Sequence, residues 1–353
     1  MTGTGEAAAA LWDASTLDAA ALEPWFDRVG LGSGPITGLR TLGGGSQNTL
    51  IEVVRGGDTL VLRFPPRGSG ERGNATMRRE ARVLSALRGT DVPHPGLLAL
   101  ESDASVFGSA FYAMETVDGW NVTDGRPPPS AAFASGLGPA VADAVARLGN
   151  VEPASVGLDT ARAAGFLDRQ VDRWLHQIES YRDLRNYPGT DLPHLDGIAR
   201  WLRGNVPAAQ APGILHGDMH LGNVMFRRDR PAVAALIDWE LSTVGDPLVD
   251  LGQLLVTWPG PDGGSVVGRF GSVAAGTRVG PEATLVEAYR RRTRRDLTAL
   301  AWYKVLACFR LGAILEGTHA RAAAGLADAQ VGLELHAAAR RLFERAALEL
   351  RAA

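Results

Sequence analysis

Cysteine is nearly missing: the single Cys308 in 353 residues excludes an intrachain disulfide, and its apolar helical surroundings point to core packing. No stretch of eighteen apolar residues is present, which argues against a membrane-spanning helix. Met1 to Leu11 holds an acidic residue and no basic segment, so it does not read as a secretory signal, and a cytoplasmic location is the expectation. An excess of one charge is also lacking. The formal net charge of −3 gives no reason to expect nucleic acid or a membrane surface as a partner. No solenoid-type repeat is found. What remains is a chain of 45% hydrophobic and 21% charged residues, long enough to bury two substantial lobes.

The order of patterns suggests an α+β protein in three stretches. Residues 1–36 form an N-terminal extension with a helix over Leu17 to Val29. Residues 37–117 are strand-rich around one helix, Ala75 to Leu87. Residues 118–353 are mostly helical, punctuated by Gly/Pro-rich segments at 124–129 and 259–281.

The chemistry concentrates in His216-Gly217-Asp218-Met219-His220-Leu221-Gly222-Asn223 and, after it, Ile237-Asp238-Trp239-Glu240. Val224 to Phe226 and Val233 to Ile237 read as two apolar strands joined by the polar turn Arg227 to Pro231, hence an antiparallel hairpin. That hairpin would set Asn223 beside Asp238, with Asp218 one tight loop away. Hard cations such as Mg²⁺ take oxygen ligands and bind through one or two carboxylates plus substrate phosphates. Asn223 and Asp238 fit that role, and Asp218 is placed to accept a proton from an attacking hydroxyl. A competing pattern is the alternation of His216, Asp218 and His220. On a strand these would share one face, as in a transition-metal hydrolase. That reading leaves Asn223 and Asp238 unused, and no further histidine cluster is legible elsewhere.

His-Gly-Asp-x-His-x-x-Asn, Ile-Asp-Trp-Glu and Gly245-Asp246-Pro247-Leu248-Val249-Asp250-Leu251 together resemble the signature of the aminoglycoside phosphotransferase-like (choline kinase-like) family, over about residues 37–322. The resemblance implies a bilobal protein-kinase-like fold: a small antiparallel-sheet N-lobe with one main helix, and a larger, mostly helical C-lobe. It also implies ATP and Mg²⁺ as cofactors, and Asp250 as a brace for the catalytic loop. Asp246 and Pro247 read as the cap and first turn of a helix running through Leu255.

The upstream parts follow in the order the resemblance requires. Gly44, Gly45 and Ser46 lie in a glycine-rich hairpin turn whose backbone can approach a phosphate closely. In Thr59 to Phe64 the position where such folds present a lysine to the phosphates carries Arg63. Arginine keeps the charge but presents a planar fork instead of a compact ammonium. Glu80 falls on the apolar stripe of Met77, Leu84 and Leu87; a carboxylate there needs a partner, and Arg63 is the natural one. By resemblance, the backbone of Glu115 and Val117 would bind adenine.

The acceptor is less legible. Leu-Arg-x-Pro-Pro and the helix Trp302 to Gly317, whose Arg310 interrupts an apolar surface, are similar to the branch associated with acyl-CoA dehydrogenases, whose members phosphorylate hydroxyacyl-CoA compounds. Clustered carboxylates, which a polycationic aminoglycoside would favour, are missing; Arg290, Arg291, Arg292, Arg294 and Arg295 stand in that region instead. The expectation is a small-molecule kinase, monomeric or homodimeric. Asp218 serves as base, Asn223 and Asp238 as metal ligands, and Arg310 and Glu240 as candidate acceptor or water contacts. An aminoglycoside or macrolide acceptor, and a catalytically weak nucleotide-binding regulator, stand as alternatives.

Overall fold

The structure, a computed structural model, describes residues 11–43, 48–268 and 271–352. The chain divides into two compact units, Met1–Thr90 with His94–Asp118, and Asp91–Pro93 with Gly119–Ala353.

The first unit is built on a five-stranded sheet of β1 (Ile36–Leu42), β2 (Thr49–Arg55), β3 (Asp58–Phe64), β4 (Leu97–Glu101) and β5 (Phe111–Glu115). The strands are antiparallel throughout, in the order β1-β2-β3-β5-β4. Burial alternates along β2, as period-two side-chain geometry demands, so Ile51 and Val53 face inward. They meet Leu62, Phe64 and Phe111 from the sheet, and Leu22, Trp25 and Phe26 from helix α1 (Ala19–Val29). The helix expected from Leu17 starts at Ala19 because Asp18 caps it, its carboxylate accepting the Ala20 and Ala21 N–H groups. Helix α2 runs Gly70–Leu87 and so begins before the expected Ala75; Gly70 and Gly73, poor helix formers, concealed its first turn. Its buried stripe is Met77, Glu80, Leu84 and Leu87, the spacing read from sequence.

The second unit is mostly helical: α3 (Ala131–Asn150), α4 (Asp168–Ser180), α5 (Leu195–Gly204), α6 (Leu248–Thr257), α7 (Glu282–Arg292), α8 (Leu300–Ala323) and α9 (Ala329–Ala352). Every residue of α6 is buried, so it serves as the core helix of this unit. Two small antiparallel pairs carry the polar loops: β6 (Gly213–Leu215) with β9 (Thr243–Gly245), and β7 (Val224–Phe226) with β8 (Val233–Leu236). Cys308 lies fully buried on α8, where burial pushes its thiol up to about 12, so it is an inert core residue. Among the described residues no helix is long and apolar enough to cross a membrane.

Candidate active site

The polar loop begins where β6 ends. The His216 N–H donates to Asp250 Oδ2 at 2.6 Å and the Gly217 N–H to Asp250 Oδ1 at 3.0 Å, so one carboxylate of α6 anchors two consecutive peptides. Burial raises the Asp250 pKa, against the opposing pull of His216 and the two N–H donors. The helix is itself capped from outside: the Leu248 N–H donates to Asp246 Oδ1 at 3.0 Å, while Tyr303 Oη donates to Asp246 Oδ2 at 2.8 Å. Gly217 has φ +82°, and a Cβ there would stand 2.1 Å from the Leu241 carbonyl oxygen. Only glycine fits this turn, which delivers Asp218.

Three groups converge on the Asp218 carboxylate. Asn223 Nδ2 donates to Oδ2 at 3.2 Å, and to the Asp218 carbonyl at 2.9 Å. Gln253 Nε2, one turn along α6 from Asp250, donates to Oδ1 at 2.9 Å. His220 Nε2 stands 3.4 Å from Oδ2, with its Nδ1 accepting the Gly222 N–H. Burial alone would raise the Asp218 pKa, but His220, Arg310 and the Gln253 amide outweigh it and hold the carboxyl well below the usual range. The loop is pinned from a further side by Asn121, whose Nδ2 donates to the carbonyls of Leu221 and Gly222.

The hairpin register differs from expectation by one residue. Val224 pairs with Leu236, and the Ile237 N–H donates to the Asn223 carbonyl, so Ile237 lies opposite Asn223 and Asp238 follows one residue on. The sequence pattern cannot see this offset because β8 ends at Leu236, one residue before its apolar run does. Asp238 takes a left-handed backbone, φ +68°, which Asp tolerates better than most residues. It is half-buried, as is Glu240, while Trp239 between them is buried against the His216 ring at 4.8 Å.

The transition-metal alternative does not survive. Residues 216–220 are a turn and not a strand, and His216 spends both nitrogens on backbone: Nδ1 accepts the Asp218 N–H and Nε2 reaches the Ile237 carbonyl at 2.8 Å. Asn223 Nδ2 faces Asp218, and its Oδ1 accepts no hydrogen bond among the described residues. Asn223 and Asp238 together offer oxygen donors only, which suits a hard divalent cation.

In the first unit, Arg63 Nε lies 2.9 Å from Glu80 Oε2, both side chains buried. Tyr112, directly across the sheet from Arg63, donates its hydroxyl to the same carboxylate oxygen at 2.8 Å. The Glu115 N–H is committed to the Gly96 carbonyl, whereas neither backbone group of Val117 is engaged among the described residues. Gly44, Gly45 and Ser46 lie outside the described residues.

Arg310, a candidate acceptor contact on the sequence, is engaged inside the protein. It is buried, donates from Nη1 to Gln253 Oε1 at 2.9 Å and from Nη2 to the Gly217 carbonyl, and sits over the Trp174 ring. The arginine run is likewise largely spent: Arg290 and Arg291 pair with Glu287, Arg292 with Asp143, and Arg295 donates to the Ala211 and Gly149 carbonyls. A cavity of about 570 Å³ lies beside Asn150, Thr160, Gln210, Thr293, Arg294 and Arg295, and none of Asp218, Asn223 or Asp238 lines it. Sequence reasoning missed Gln253, Asn121 and Tyr112 as parts of the site. Only Gln253 had a signal, its i+3 position from Asp250 on one helix face.

The model of the phosphotransferase enzyme family matches residues 38–303. The chain is 32% identical over 315 residues to acyl-CoA dehydrogenase family member 11 of Gallus gallus, a match covering 87% of this chain and 40% of that protein. It therefore spans about two-fifths of that relative's length, 40%. A provisionally named aminoglycoside phosphotransferase of Ralstonia eutropha superposes with a TM-score of 0.78 at 31% identity, covering 95% of this chain and 98% of that one. The aminoglycoside phosphotransferase APH(4)-Ia, in a ternary complex with ADP and hygromycin B, has the same fold at 13% identity, with a TM-score of 0.57 and coverage of 93% and 98%. The chain belongs to the phosphotransferase enzyme family.

Proposed function

We propose that the chain transfers the γ-phosphoryl group of ATP to a hydroxyl of a small molecule. The observation that carries this reading is the Asp218 carboxylate, kept ionised and aimed by Asn223, Gln253 and His220 on a loop braced by Asp250. An ionised carboxylate in that position accepts the proton of the attacking hydroxyl as its oxygen meets phosphorus. Asn223 and Asp238 would hold Mg²⁺, which when bound supplies positive charge to the phosphate oxygens. Arg63, fixed by Glu80 and Tyr112, steadies phosphate, and the Val117 backbone with the Glu115 carbonyl would receive the base, the Glu115 N–H being held by Gly96. The Arg63–Glu80 pair speaks for a retained phosphate ligand in place of the usual lysine, and so against a weak nucleotide-binding regulator. The nucleotide reading gains support from APH(4)-Ia with ADP.

For the acceptor we favour a hydroxyacyl-CoA-like metabolite over an antibiotic, because the curated relatives are acyl-CoA dehydrogenase family members. The test is ADP release across hydroxyacyl-CoAs, aminoglycosides, macrolides and amino alcohols, with Asp218→Asn alongside. Turnover in one acceptor class should fall by roughly 10³-fold or more in the variant. Stabilisation by ATP and Mg²⁺ in thermal melts should persist. Nucleotide stabilisation without ADP release on any acceptor would leave a binding protein and sink the enzyme reading.

A further inference from the structure

A second cluster of chemistry-bearing side chains lies away from the catalytic loop, on α8 and α9. Glu316 and His319 are three residues apart on α8, and so share a face; His336 comes from α9. One ligand atom from each lies within 4.8 Å of the others. Gly332, one turn before His336, lets α9 settle against α8 here, since a Cβ at that position would stand 2.4 Å from the Ala322 Cβ. The histidine pair was invisible in the sequence because its members sit on different helices.

We propose that Glu316, His319 and His336 form a binding site for a divalent transition ion of the zinc class, with water completing its shell. Two imidazoles and one carboxylate are the donor set that such ions take, in contrast to the all-oxygen set at Asn223 and Asp238. The groups behind the ligands are already in place. Tyr187 Oη donates to Glu316 Oε1 at 2.5 Å, leaving Oε2 toward the cluster, and Asp191 Oδ1 lies 3.1 Å from His336 Nε2, which directs Nδ1 inward. Asp191 is itself held by Arg340. A carboxylate behind a histidine is the arrangement that orients metal-binding imidazoles and raises their basicity. His319 supplies the independent observation. Its nitrogens make no hydrogen bond among the described residues, and its ring contacts are His336 at 4.3 Å and Tyr187 at 6.0 Å.

Without metal, His336 Nδ1 and Glu316 Oε2 hydrogen-bond at 2.7 Å. Binding releases the proton between them, and the rings, now 29° apart in plane, must fan open to aim both lone pairs at one point. Bonds of about 2.0–2.1 Å in a tetrahedron put ligand atoms roughly 3.3 Å apart, so no pair of ligand atoms has to close by more than about 1.5 Å. The inference does not depend on the phosphotransfer reading.

The experiment is titration of EDTA-treated, full-length protein with Co²⁺ and Zn²⁺, read by cobalt d–d absorption, by metal content after gel filtration and by thermal melts. The expected result is one equivalent of Co²⁺ with the intense absorption of a low-coordinate site, displaced by Zn²⁺, and a melting temperature raised by Zn²⁺. His319→Ala should abolish the absorption. Tyr187→Phe should weaken affinity by about 10-fold through the lost outer hydrogen bond. If the cluster is only an ion pair of His336 with Glu316 and Asp191, His319→Ala binds metal no differently from the native chain. That result, or native protein taking up no Co²⁺ at equimolar concentration, overturns the proposal. Should His319→Ala fold poorly, His319→Gln and the native cobalt spectrum decide it.

Discussion

Gln253→Glu is nearly isosteric and reverses one interaction at the heart of the site. The native amide donates from Nε2 to Asp218 Oδ1 at 2.9 Å and accepts from Arg310 Nη1 at 2.9 Å. In the variant the second contact strengthens, because a charge-assisted hydrogen bond replaces a neutral acceptor. The first becomes two carboxylates face to face. With charge centres about 4 Å apart and an effective dielectric near 20, the repulsion is on the order of 4 kcal/mol. At about 1.4 kcal/mol per unit, this raises the pKa of the pair by up to about 3 units. The proton then shared by Asp218 and the new glutamate would disable Asp218 as the proposed base in mildly acidic solution and misaim it at neutral pH, for a loss of roughly 10²-fold in kcat. The assay is kcat/KM against pH with the acceptor found by ADP release, next to a urea titration. The acid limb should move toward neutrality, and stability at neutral pH should fall by roughly 2–4 kcal/mol, because the same repulsion acts in the folded state and the strengthened Arg310 contact offsets only part of it. A variant with the native rate and an unmoved acid limb would refute the claim that Gln253 tunes Asp218.

Further outcomes follow from other contacts. Arg63→Ala removes the Arg63 ion pair of the fully buried Glu80 and should cost about 3–5 kcal/mol in urea unfolding, whereas Tyr112→Phe, losing one hydrogen bond to that carboxylate, should cost about 1–3 kcal/mol and raise KM for ATP. Gly217→Ala meets both a left-handed backbone and the Leu241 carbonyl, so soluble variant protein should show turnover reduced by at least about 10²-fold even where its melting temperature is near native. The lowered Asp218 pKa means that this carboxylate stabilises the fold above its unfolded value of about 3.9, and that the contribution disappears as pH falls toward the folded value. The melting-temperature difference between the native chain and Asp218→Asn should accordingly shrink below about pH 4; a constant difference from pH 7 to pH 3 would contradict the assigned shift.

The readings that succeeded were local ones. The hairpin after Asn223 and the buried stripe of α2 were legible because apolar periodicity and turn residues act over a few positions. The same locality explains the errors. A one-residue shift in the hairpin depends on where the ladder ends, and the first turn of α2 was hidden by glycines that packing tolerates. Arg310 was legible only as a charge interrupting an apolar helix; its partners, Gln253 and the Gly217 carbonyl, became visible only with the fold.

By itself the amino-acid order determined the class of chemistry. Asp218, Asn223 and Asp238 fall within one short segment, where peptide geometry leaves few ways for them to separate. The tertiary structure alone decided what supports them: Gln253 and Gly217 meet Arg310 across 57 and 93 residues, and Glu80 meets Tyr112 across 32. It also decided that His319 and His336 come together from two helices. Such contacts are chosen by the packing of whole helices and strands against one another, which no window of neighbouring residues encodes.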